Sequence, residues 1–183
     1  MISPITHSIP GRPRILQGNF GDRGNVDLRN VALGARPDKL ALQLSEDSQL
    51  NTLLPRDTQG VCGSSQMIDV VTVDDIVAAE GISHLDLLKI DVQGWEMEVL
   101  RGASKLIADH DLIFVLAEVA FRSDATEMQL FGELHDHLER NGFALSGFYE
   151  SVRFGPRKEF LSFANALYIH PAARLKWADS RAA

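Results

Sequence analysis

Cysteine is almost missing from this chain: Cys62 stands alone among 183 residues. No intrachain disulfide can form, so the fold rests on packing, and such usage matches a reducing compartment. Long apolar runs are also lacking. No stretch approaches the roughly 18 apolar residues of a membrane-spanning helix, and residues 1–10 hold no unbroken apolar segment of the kind a secretory signal needs. A soluble cytoplasmic protein is the simplest reading. Positive charge is in deficit, with 18 Lys and Arg against 25 Asp and Glu and a formal net charge of −7. A broad surface for nucleic acid or anionic membrane is excluded unless a local patch opposes that sign. The basic residues are scattered, except for Arg153, Arg157 and Lys158. A cofactor-cradling glycine loop is lacking as well. Gly18-Asn-Phe-Gly-Asp-Arg-Gly24 spaces its glycines three apart, follows no strand and precedes no helix, so it reads as a flexible connector.

Hydrophobic residues make up 45% of the chain, enough for one sizeable core. The first 25 residues hold three prolines and four glycines and read as a poorly ordered arm; a domain over 26–172 and a tail over 173–183 follow. Val26, Leu28 and Val31 predict a strand over 26–33 that ends at Gly34, and alternation predicts another over 39–44 after the Arg36-Pro37-Asp38 turn. Residues 45–65 are polar and too long for a mere connection, which suits a lid or substrate loop. Order returns over 67–72. Thr72 and Asp75 have capping-box spacing for a short helix, and Gly81 suits its left-handed stop.

Residues 84–92 carry Leu85, Leu87, Leu88 and Ile90, as expected of a parallel strand covered on both faces. The helix after it places Trp95, Val99, Ala103 and Leu106 or Ile107 on one side, with Glu96, Arg101 and Lys105 mostly on the other. An apolar strand over 111–118 ends on Glu118. A helix over 126–140 buries Leu130, Leu134 and Leu138 and stops at Asn141-Gly142, and runs over 143–149 and 163–169 form an antiparallel pair around Gly155-Pro156. Strands that alternate with helices and close in a hairpin predict an α/β fold, its sheet mostly parallel with an antiparallel C-terminal edge.

In open α/β sheets, ligands bind beyond the carboxyl ends of the strands. Asp91 ends such a strand, just before a turn through Gly94 into a helix, and is the first candidate for chemistry; Glu118 ends the next strand. Each also has a plain alternative. Asp91 can be a solvated carboxylate favoured by the helix dipole, and Glu118 a strand-end acid near water. Trp95 can stack on a ligand or pack its helix on the sheet. His135 and His137 lie two apart on a helix and point to different faces, which favours a solvated surface over a metal site.

Three segments, in order, resemble the signature regions of FkbM-type methyltransferases. They are Asn30-Val-Ala-Leu-Gly34, Val71-Thr-Val-Asp-Asp75, and Leu88-Lys-Ile-Asp-Val-Gln-Gly94 with Glu98-Val-Leu-Arg-Gly102. Gly142-Phe143 and Asn165-Ala-Leu-Tyr-Ile169 resemble the family's closing hairpin, so the likeness spans about 26–171. It implies a Rossmann-like methyltransferase sheet and S-adenosylmethionine (SAM) as the methyl donor to a hydroxyl of a sugar or natural product. It implies Asp91 and Glu118 as catalytic groups and Ala32, Leu33, Asp91 and Val92 at the cofactor, with Ala32 and Leu33 on the adenine side. Gln93 and Trp95 would face the acceptor. Gln93 stands where many members carry an acid, so it hydrogen-bonds and is no base.

The family begins with a strand, a glycine-bearing turn and a second strand ending in an acid. A βαβ unit needs ~30 residues, more than the 25 that precede Val26. The expectation is a methyltransferase domain lacking its first two β-α units, with exposed sheet surface through which it forms a homodimer. Two other classes stay open. One is an inactive methyltransferase remnant serving as an interaction module; the other is a hydrolase holding Mg²⁺ between Asp91 and Glu118, which no nucleophile or phosphate loop supports.

Overall fold

A computed structural model of the chain describes residues 3–6, 26–43, 65–125 and 128–179. Strands β1 (Ser3–Thr6), β2 (Val26–Arg29), β3 (Ala32–Leu33), β4 (Asp38–Gln43) and β5 (Ser65–Val71) precede helix α1 (Val73–Ala79). Then come β6 (Leu85–Ile90), α2 (Glu96–Arg101), α3 (Ser104–Ala108), β7 (Leu112–Ala120), α4 (Phe131–Arg140), β8 (Ala144–Phe154), β9 (Phe160–Ile169) and α5 (Pro171–Asp179). The glycine segment over 18–24 and Cys62 lie outside the described residues. So does the expected loop over 45–65, apart from Ser65, which opens β5.

The fold is α/β, and its sheets are mixed. Parallel pairs join β1 to β2, β3 to β5 and β6 to β7; antiparallel pairs join β4 to β5, β7 to β9 and β8 to β9. The expected antiparallel hairpin is there, but a mostly parallel sheet is not, because β4 returns along β5 and the hairpin supplies two of the four strands in the order β6-β7-β9-β8. Two ends of the chain also differ from the sequence expectation. Ser3–Thr6 pairs with β2 where an arm without regular structure was expected, and α5 occupies most of the expected tail. Among the described residues no helix is long and apolar enough to cross a membrane.

The core forms where these elements place their apolar periods together. Val99, Leu100, Leu106 and Ile107 from α2 and α3, Ala103 between them, Val115, Ala117 and Val119 from β7, and Leu134 and Leu138 from α4 all fall into one buried cluster. Thr72 caps α1 by accepting from the Asp75 amide at 2.9 Å, and Gly81 follows at φ 65°. The carboxylate of Asp74, one residue earlier, caps a different helix: it accepts from the amides of Lys105 and Leu106 at 2.8 and 3.1 Å.

That cap explains why the single helix expected after Gly94 is two. Gly102 turns its carbonyl out to the Asp74 amide at 2.9 Å, and its Cα approaches β3 so closely that a Cβ would lie 2.1 Å from the Gly34 carbonyl oxygen. At its start α4 is shorter than expected. Leu130 forms a parallel bridge to Ala120, and the Ala120 amide donates to the Gln129 carbonyl at 2.8 Å, so the backbone there lies alongside the last residue of β7 before the helix begins at Phe131. Gly142, at φ 84°, ends α4 as expected. His135 differs from its expected solvated setting: it stacks on Phe131, and its Nδ1 lies 3.3 Å from the hydroxyl of buried Tyr168.

Candidate functional site

Strands β6 and β7 run parallel with Ile90 opposite Ala117, so the residues that follow, Asp91 and Glu118, lie side by side: Asp91 just past the carboxyl end of β6, and Glu118 inside β7, which runs on to Ala120 instead of ending on Glu118 as expected. The chain then reverses tightly into α2. Gln93 takes φ 50° and Gly94 φ 90°, the left-handed region that costs a residue with a Cβ about 1 kcal/mol or more. Strain at Gln93 has a visible consequence. Its side-chain amide turns back and donates to Asp91 Oδ1 at 3.4 Å and to Glu118 Oε2 at 3.3 Å, bridging the two carboxylates. Lys89 Nζ stands 3.5 Å from Asp91 Oδ2.

Asp91 remains 49% exposed and open to a ligand. Glu118 is half-buried, and its proton affinity is raised, first by burial and next by the charge of Asp91, while the hydrogen bond from Gln93 opposes the shift. One carboxylate is thus solvated and the other pushed toward its neutral form, the kind of split that assigns acid and base roles in catalytic pairs. The hairpin extends this polar surface. Glu118 pairs with Asn165, and Asn165 with Tyr149, so the three share one sheet face. A register shift follows Tyr149; there Glu150, at φ 49°, accepts from Asn165 Nδ2 at 2.7 Å.

Sequence reasoning placed Glu96 on the solvated side of its helix. It is instead 1% exposed. Its Oε1 faces the Val92 amide at 3.4 Å, whereas Oε2 is buried with no partner among the described residues. Burial pushes its pKa up to about 7, against the pull of the amides of Glu96, Gly94 and Val92; nearby Glu118 adds to the rise. A helix wheel gives position 96 to solvent because it counts from a regular helix. The turn before α2 rotates the first residues inward instead, and the signal available in sequence was an acid placed two residues after a glycine turn.

The remaining candidates divide. Asp91, Gln93 and Glu118 come together, and Val92 anchors their turn through its amide. Leu33 is half-buried against the main core, while Ala32 is buried in a smaller cluster with Ile68 and Val70. Trp95 packs on the core, and its Nε1 is buried without a hydrogen-bond partner among the described residues. That nitrogen lies toward the end of β3, 3.5 Å from where a Cβ on Gly34 would stand. Arg153, Arg157 and Lys158 are exposed at the hairpin tip. Among the described residues no three His, Cys, Asp or Glu side chains are grouped to hold a metal.

A family model for the methyltransferase FkbM domain matches residues 12–145. Among solved structures, a methyltransferase FkbM from Methylobacillus flagellatus is similar, with 15% identity and a TM-score of 0.48 over 85% of this chain. The chain spans about a third of that protein, 32% of its length. No curated protein matches the chain.

Proposed function

The chain belongs to the FkbM methyltransferase domain family, and on that premise we propose that it is a SAM-dependent O-methyltransferase acting on a hydroxyl of a sugar or natural product. The observation that carries this reading is the Gln93 bridge, which holds an exposed carboxylate and a half-buried one together where β6 ends beside β7. Methyl transfer to an alcohol needs an oxygen that is aligned and relieved of its proton. On this reading Asp91 accepts that proton. Gln93, hydrogen-bonded to it, fixes its orientation, and Glu118, with its raised proton affinity, holds a hydrogen bond to the acceptor.

SAM combines a sulfonium cation with adenosine, and the residues present fit both parts. Asp91 provides negative charge and half-buried Leu33 an apolar side chain for the adenine, while Ala32 is buried in the smaller cluster with Ile68 and Val70. Val92 would border the cofactor at the turn. When bound, SAM supplies the activated methyl group. Gln93 and the exposed face of Tyr149 would meet the acceptor, whereas Trp95 serves this arrangement by packing.

Transfer of labelled methyl from SAM to a panel of hydroxyl compounds tests the reading. Asp91→Asn is expected to lower the rate by about 10²- to 10⁴-fold, the range for loss of a general base, and to raise the KM for SAM, because the same carboxylate meets the sulfonium. An Asp91→Asn variant as fast as the parent would contradict it.

A further inference from the structure

Glu96 is the one fully buried carboxylic acid among the described residues, and neither proton transfer nor ligand contact requires it. We propose that Glu96 is a positioning residue: its buried carboxyl group acts as an internal hydrogen-bond acceptor for the 91–94 turn and so holds Gln93 in the bridge between Asp91 and Glu118. This deepens the methyltransferase reading and rests on it only for the purpose the bridge serves.

The geometry supports it from several sides. A turn whose successive amides converge forms a concavity suited to an acceptor. Here Gln93 and Gly94, with φ of 50° and 90°, shape the turn, the Val92 amide donates to Glu96 Oε1 at 3.4 Å, and the amides of Gly94 and Glu96 also favour the carboxylate. Without an acceptor inside, Gln93 would relax out of a conformation that disfavours any side chain. Released from it, the Gln93 amide would no longer meet two carboxylates at 3.3 and 3.4 Å. The same carboxyl group keeps Oε2 buried without a partner, an arrangement costly to keep unless the position serves the turn. The charged group that bears on Glu96 from the neighbouring strand is Glu118, which Asp91 and Lys89 influence in turn.

Amide hydrogen exchange by NMR tests this on the whole chain without cofactor, so its outcome does not depend on whether SAM binds. In Glu96→Ala, exchange at Val92, Gln93 and Gly94 is expected to rise at least about tenfold, while Leu88, Val115 and Leu134 stay within about twofold. Glu96→Gln keeps a carbonyl acceptor and is expected to restore the parent rates within about threefold. Unchanged exchange in the turn of Glu96→Ala would overturn the proposal, as would a rise of the same size throughout the sheet. Should Glu96→Ala not fold, the parent and Glu96→Gln still decide. The Val92 and Gly94 amide shifts of the parent should follow pH with a midpoint near 7 and be flat there in Glu96→Gln; parent shifts that ignore pH would overturn it.

Discussion

At residue scale, Glu96 links folding to the site through its proton. Its folded pKa of about 7 lies above the ordinary value of 4.5, so between these values the folded chain holds the proton more tightly than the unfolded one. Stability therefore falls as pH rises through this window and levels off above about 7. A separation of this size corresponds to on the order of 3 kcal/mol. Glu118 shifts in the same direction, and His170 in the opposite one, since burial lowers its pKa and its stabilising neutral form is lost as pH falls below the ordinary value of 6.5. A comparison with Glu96→Gln cancels both. Urea unfolding should show Glu96→Gln more stable than the parent at pH 8 by on the order of 3 kcal/mol and close to it at pH 5; equal stability at both pH values would mean that the buried acid does not titrate in this range.

At element scale, Gly102 decides the shape of the segment after the turn. It divides one expected helix into α2 and α3, and its Cα hydrogen faces the Gly34 carbonyl at a distance no Cβ can occupy. The obstacle is backbone, which cannot rotate aside. Gly102→Ala should cost about 3 kcal/mol, the upper end for overpacking, and thermal melts would register it as a clear drop in Tm. A neutral substitution would mean that β3 does not lie against this turn. Helix α5 shows a second device of this kind. His170 Nδ1 accepts from the Ala173 amide at 3.1 Å, Pro171 opens the helix, Trp177 stacks on His84, and Lys176 pairs with Asp111.

Much of this scale was legible in sequence. The caps at Thr72, Gly81 and Gly142 follow from local chemistry, and the apolar run of β7 follows from burial on both faces; β6 departs from that expectation, since it stands at the edge of its four-stranded sheet among the described residues and leaves Leu87 50% exposed. Local patterns could not give what long-range contacts decide: the break at Gly102, the bridge that delays α4, or the docking of α5. The site divides along the same line. Asp91 is a strand-end acid and could be read directly, and Glu118 could be read as its neighbour although β7 runs two residues past it, whereas Glu96 is inward only because two left-handed residues precede it, and Glu150 meets Asn165 at a register shift that no alternation of residues announces.

At the scale of the whole molecule, the chain carries a net charge of −7 and gathers Asp91, Glu118 and Glu150 around one end of its mixed sheet. That sign suits a cationic cofactor and disfavours anionic partners. Calorimetric titration of this chain with S-adenosylhomocysteine, beside Asp91→Asn as a folded control, tests the central claim most directly. The account predicts saturable binding at one site per chain, weakened in Asp91→Asn without loss of fold. No binding heat from a chain shown to be folded, across several temperatures, would contradict it.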